Sequence, residues 1–76
     1  MGYSNEVFGL RLRQIRRAAD ITQKELGERA GIDPTLITRY ENGAVTPGLN
    51  TACALAEALG VTLDDLAPLQ PAGDAA

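Results

Sequence analysis

Between residues 22 and 43 the chain starts a helix, stops it, and does both again, and this punctuation constrains the fold more than any other feature. Thr22 with Glu25 three residues on makes a capping box, in which each side chain accepts a hydrogen bond from the other's backbone N–H. Gly31 ends that helix, because glycine enters a left-handed backbone without the steric cost of a Cβ. Asp33-Pro34 restarts it: aspartate caps, and proline at the first helical position gives up an N–H that has no intrahelical acceptor anyway. Asn42-Gly43 closes the second helix. Two short helices joined by a tight glycine turn can pack at roughly 90–120°. That crossing leaves the outer face of the second helix protruding. By their spacing, Thr35, Thr38, Arg39 and Asn42 lie on this face, while Leu36, Ile37 and Tyr40 lie on the inner one.

The flanking sequence supplies three more helices. Residues 5–19 carry Phe8, Leu12, Ile15 and Ala19 on one face, with Arg11, Arg13, Gln14 and Arg17 mostly opposite. Leu10 stands outside this stripe and reads as an exposed apolar residue. Leu26 and Ala30 form the apolar side of the second helix. Gly27 in its middle costs about 1 kcal/mol against alanine, which predicts a close crossing by another helix. After a loop at 44–48, Leu49, Ala52, Cys53, Ala56 and Leu59 repeat with a helical period until Gly60. Thr62 and Asp65 then cap a short fifth helix ending near Leu66. Nothing reads as a strand, so the fold class is all-α, a compact five-helix domain. Residues 1–67 form the domain and 68–76 a flexible tail without periodicity.

Composition removes most catalytic chemistry. The chain has no His, and Cys53 is its only thiol, so zinc sites of His and Cys, Ser–His or Cys–His nucleophiles and internal disulfides are all excluded. Cys53 reads as a small core residue. No enzyme activity, cofactor, metal or small-molecule ligand is expected. The sequence lacks an apolar run of signal-peptide or transmembrane character, so a cytoplasmic location is expected and a membrane role is not. Net charge is −3, but it is divided. Residues 1–43 hold all seven bases (Arg11, Arg13, Arg16, Arg17, Lys24, Arg29, Arg39) against six acids, whereas residues 44–76 hold four acids and no base. Any polyanion must therefore be met by the first 43 residues.

A helix about 10–12 Å across fits the major groove of B-DNA. On the protruding face, Arg39 can donate a fork of hydrogen bonds to guanine, and Thr35 and Thr38 offer hydroxyls and methyls to base edges. Gln23, at the start of the preceding helix, sets an amide beside free backbone N–H groups, which suits a phosphate. The run Thr22-Gln23-Lys24-Glu25-Leu26-Gly27, with Gly31-Ile32, Ile37-Thr38-Arg39-Tyr40-Glu41-Asn42-Gly43 and Pro47, resembles the lambda-repressor-like (Cro-type, XRE-like) helix-turn-helix family. Leu55 to Leu66 is similar to that family's fourth and fifth helices, so the likeness extends over roughly residues 7–67.

The resemblance implies a sequence-specific regulator of transcription, a repressor, that binds double-stranded DNA. Pro34, Thr35, Thr38 and Arg39 would face bases; Gln23, Asn42 and the backbone at Gly43 would contact phosphate; Arg16 and Glu41 would form an internal salt bridge. Three departures bear on this. Pro34 replaces a polar base reader, the loop 44–48 has no cation for a minor-groove contact, and Gly27 stands for the usual alanine. One helix reads few base pairs, so a homodimer on an inverted-repeat operator is expected. It would use the apolar residues of the C-terminal half: Ala54, Ala58, Val61, Leu63, Leu66 and Leu69. An antitoxin or a restriction–modification controller would bind DNA in the same mode. A protein-docking module, favoured by the acidic total, would use the fold without DNA.

Overall fold

The computed structural model describes residues 5–67, which contain five helices and no strand; residues 1–4 and 68–76, including the tail, lie outside the described residues. The helices are α1 (Asn5–Ala18), α2 (Gln23–Ala30), α3 (Pro34–Glu41), α4 (Leu49–Leu59) and α5 (Leu63–Leu66). Their ends are set by short-range chemistry. Thr22 Oγ1 accepts from the Glu25 N–H at 3.0 Å and Glu25 accepts from the Thr22 N–H at 2.9 Å, while Thr62 and Asp65 repeat the pattern at 3.2 and 3.1 Å. Asp33 caps α3 by accepting from the Thr35 N–H at 2.8 Å. Gly31, Gly43 and Gly60 turn the chain at φ of 71°, 74° and 71°. After each, the next residue's N–H reaches back into the helix: Ile32 to Gly27, Ala44 to Arg39, Val61 to Ala56, at 2.8–3.0 Å. α1 ends the same way on Asp20, at φ 61°. The N-cap of α4 is Gly48, which makes no side-chain cap bond.

Phe8, Leu12, Leu26, Ile37, Leu55 and Leu66 are fully buried, each contributing about 1.5–3 kcal/mol over exposure. Phe8 meets the edge of Tyr40 with ring centroids 6.4 Å apart. α1 packs on α3 and α5, and α2 packs on α3 and α4. α3 is thus gripped by two helices and free on its remaining side.

Several apolar positions differ from the periodic reading. Ala19 is exposed, Leu36 sits at the rim, and Ile15 is only half-buried. Leu49 is 69% exposed, and Cys53 is exposed rather than a core residue. α4 buries Ala52 and Ala56, as the pattern implied, and Leu55 in place of Leu49 and Cys53, because α2 and α5 cover that flank of the helix and leave the Leu49–Cys53 flank open. Leu10 is 53% exposed, as its place outside the stripe predicts. Leu66 closes the core, so it is not available to a dimer surface.

Two helical glycines mark where backbones touch. A Cβ on Gly9 would overlap the Tyr40 carbonyl oxygen and lie 2.7 Å from that of Glu41, so α1 crosses the C-terminal turn of α3 there with no room for a methyl. A Cβ on Gly27 would lie 2.5 Å from the Ile32 carbonyl oxygen and 3.3 Å from the Pro34 ring. The close approach that Gly27 implies is thus made by the turn and by the first residue of α3. Gly9→Ala should cost about 1–3 kcal/mol, because the obstructing atoms are backbone. A domain of this length holds about 4–11 kcal/mol in total. Gly48→Ser should add only a few tenths of a kcal/mol, since glycine is itself a tolerated N-cap, and nothing lies within 4 Å of its Cβ direction to oppose the side chain. Thermal melting of the two variants checks the pair; a Gly9→Ala melting point no lower than the parent's would show that α1 can slide away.

Candidate nucleic-acid interface

The site begins with a stripe on α1. Gly9, Arg13 and Arg16 follow one another at spacings of four and three, which stacks them on the face turned to α3. Gly9 allows the contact, and the two arginines use it. Arg16 is buried, and its guanidinium donates from Nε to Glu41 Oε2 at 2.6 Å and from Nη2 to Glu41 Oε1 at 3.2 Å. Its Nη1 donates to the Ile21 carbonyl at 2.9 Å. Glu41 is the last residue of α3, at the negative end of the helix dipole, where a carboxylate needs a nearby cation. Arg13 is a second cation, with Nε 3.8 Å from Glu41 Oε1 and Nη2 donating to Asn42 Oδ1 at 3.4 Å. Periodicity had set Arg13 on the solvent side. Its side chain is instead turned along α1 to the end of α3, at 38% exposure.

The same carboxylate reaches α2. Gln23 Nε2 donates to Glu41 Oε1 at 3.0 Å, and Gln23 Oε1 accepts from the Thr38 hydroxyl at 2.8 Å. Among the described residues no buried side-chain nitrogen or oxygen lacks a partner, so the network is complete. It joins α1, α2 and α3 behind the exposed face of α3.

On that face Thr35, Thr38, Arg39 and Asn42 follow at i, i+3, i+4 and i+7. Thr35, Arg39 and Asn42 are exposed and Thr38 half-buried. Pro34, at the first position of α3, is exposed beside them. No hydrogen bond or ion pair engages the Arg39 guanidinium or the Thr35 hydroxyl among the described residues. Asn42 turns its oxygen to Arg13, which leaves its NH2 outward. Gly43 offers less than its position suggests, because its N–H already donates to the Tyr40 carbonyl at 3.1 Å. At the other edge, Arg17, Thr22, Gln23 and Lys24 line an open depression at the start of α2. Sequence reasoning passed over Arg13 and Gly9; a glycine inside an unbroken helical pattern was the available signal for the second.

Comparison with known proteins agrees with this geometry. Residues 12–66 match the family model described as helix-turn-helix. The chain belongs to the lambda-repressor-like helix-turn-helix family. It is 36% identical over 63 residues to the uncharacterized HTH-type transcriptional regulator y4dL of Sinorhizobium fredii, covering 83% of this chain and 32% of that protein. The chain therefore spans about a third of the length of this curated relative. The restriction-modification controller protein C.AhdI of Aeromonas hydrophila superposes with a TM-score of 0.80 at 31% identity, covering 82% of this chain and 94% of that one. The P22 c2 repressor protein, solved in complex with a synthetic operator, gives 0.75 at 30% identity, covering 79% and 91%.

Glu41→Ala should strand Arg16, whose side chain is only 11% exposed, and cost about 3–5 kcal/mol. Arg13→Ala, at the wet edge of the same carboxylate, should cost about 0–1 kcal/mol. Urea denaturation separates the two; equal losses would show that the Arg16–Glu41 pair is no more critical than the rim contact.

Proposed function

We propose that this domain is a sequence-specific, double-stranded-DNA-binding regulator of transcription that lays α3 in the major groove. The observation that carries the reading is the exposed face of α3. Thr35, Thr38, Arg39 and Asn42 share it, and among the described residues the Arg39 guanidinium is unengaged and the polar network behind it is saturated. Arg39, with Thr35, Thr38 and the Pro34 ring, meets base edges. The outward NH2 of Asn42, the remaining Gln23 amide proton and the backbone N–H groups at the start of α2 meet phosphates. Gly43 holds Asn42 in place by ending α3, its own N–H being taken. Arg11, Arg17, Lys24, Arg29 and Arg39 are exposed and without a carboxylate partner among the described residues, so their charges are available to phosphates. Occupying an operator, the protein acts as a repressor by excluding polymerase.

Arg39→Ala should weaken the preferred site by about 1–3 kcal/mol and relax one base position. Gln23→Ala should weaken random duplexes as well as the preferred one, because it removes a phosphate contact, whereas Arg39→Ala should act mainly on the preferred one. Fluorescence titration with both duplexes tests the assignment, and equal losses for the two variants on both duplexes would sink it.

The reading includes a homodimer on an inverted repeat. With Leu66 in the core and Leu69 outside the described residues, the half-buried Ala54, Ala58, Val61 and Leu63 remain as its apolar surface, on the part of the chain that carries no cation. Two α3 helices would then enter successive grooves about 34 Å apart. Sites selected from random DNA should be inverted repeats occupied by two chains in sedimentation. An asymmetric site saturated by one chain would rule the dimer out.

A further inference from the structure

We infer that Thr38 enters the groove only as a hydrogen-bond acceptor, so that the base it meets carries an exocyclic amine: adenine or cytosine. The inference rests on the DNA-binding reading above and adds the polarity of one contact.

A threonine hydroxyl has one proton and two lone pairs, and in general can serve a base that donates or a base that accepts. Here the proton is already committed. Thr38 Oγ1 lies 2.8 Å from Gln23 Oε1 and 3.2 Å from the Pro34 carbonyl oxygen, both of them acceptors on the protein side. The orientation of the Gln23 amide is fixed by its other neighbour. Glu41, paired with Arg16, offers only lone pairs, so the group 3.0 Å from it must be the Gln23 NH2. The Gln23 oxygen then faces Thr38, and Thr38 must donate. A hydroxyl that turned away from Gln23 has a second protein acceptor in the Pro34 carbonyl, one helical turn back. What remains for the groove is lone pairs and a methyl.

Adenine N6 and cytosine N4 donate in the major groove, whereas guanine O6 and N7 and thymine O4 accept. A keto base opposite Thr38 would set lone pair against lone pair. Arg39, the next residue, has the opposite polarity, since a guanidinium can only donate. Thr35, whose hydroxyl has no protein partner among the described residues, is unrestricted. The face of α3 thus carries one acceptor, one donor and one reader of either kind.

The test is selection of bound sites from a random duplex pool with the full chain, alongside Thr38→Val and Thr38→Ser. Valine keeps the shape and removes the hydroxyl; serine keeps the hydroxyl and removes the methyl. The base position that changes with Thr38→Val identifies the contact. In wild-type sites that position should favour adenine or cytosine over guanine and thymine by about fivefold or more, a preference that serine retains and valine loses. Removing the exocyclic amine from the selected base should weaken the wild type about three- to tenfold and leave Thr38→Val unchanged. Guanine or thymine at that position, or no position that responds to Thr38→Val, overturns the inference while DNA binding stands. No enrichment of any sequence by the wild type overturns the regulator reading and this inference with it.

Discussion

The contact between Arg16 and Glu41 is the constraint from which the rest of the interface follows. It joins the last turn of α1 to the last residue of α3 through two hydrogen bonds, with both side chains almost wholly out of water. A buried ion pair is weak evidence for stability, because desolvating two charges can cost as much as their attraction returns. Its effect here is on position. Once the pair exists, neither member can be left alone, and α3 can shift on α1 only by leaving a charge buried and uncompensated. The backbone contact at Gly9 brings the two helices close enough for the pair to form.

The carboxylate also sets direction. Glu41 accepts and does not donate, so every group around it must present protons: the guanidiniums of Arg13 and Arg16 and the amide nitrogen of Gln23. That requirement passes through Gln23 to Thr38. A charge on the protected end of α3 thereby fixes the orientation of a side chain on its exposed face.

What could be read from the chain and what could not divides along the range of the interactions. Thr22 with Glu25, Gly31, Asp33-Pro34, Gly60 and Thr62 with Asp65 act within five residues, and each places a helix end where the sequence implied. Periodicity did less well on α4. It reports that a stripe is apolar but not which flank a neighbour covers, and so Leu49 and Cys53 stood in for Leu55. The face formed by Thr35, Thr38, Arg39 and Asn42 was legible because it needs only helical spacing. The partners behind it were not, since Gln23 lies 18 residues from Glu41 and Arg13 lies 29 from Asn42. The resemblance to the family supplied the pairing of Arg16 with Glu41. It was silent on Gly9, Arg13 and the link from Gln23 to Thr38.

If α3 reads DNA as proposed, the network divides the side chains on the helix's exposed face into two physical kinds. Ordering a long, freely rotating side chain at an interface costs roughly 0.5–1.5 kcal/mol. Thr38 and Gln23 are already held in the free domain, so little of that cost would remain on binding the proposed DNA partner. Arg39 has no such support and must be ordered on contact, which a two-pronged hydrogen bond to guanine can offset because it is charge-assisted and planar. A held residue that presents the wrong polarity cannot adapt, whereas an unheld one can turn toward an alternative acceptor such as a phosphate. On the proposed DNA-binding reading, rejection of a wrong base would therefore fall chiefly to Thr38, and added affinity for a right one to Arg39. The saturated polar cluster, which contributes little net stability of its own, is what makes that division of labour available to so small a domain.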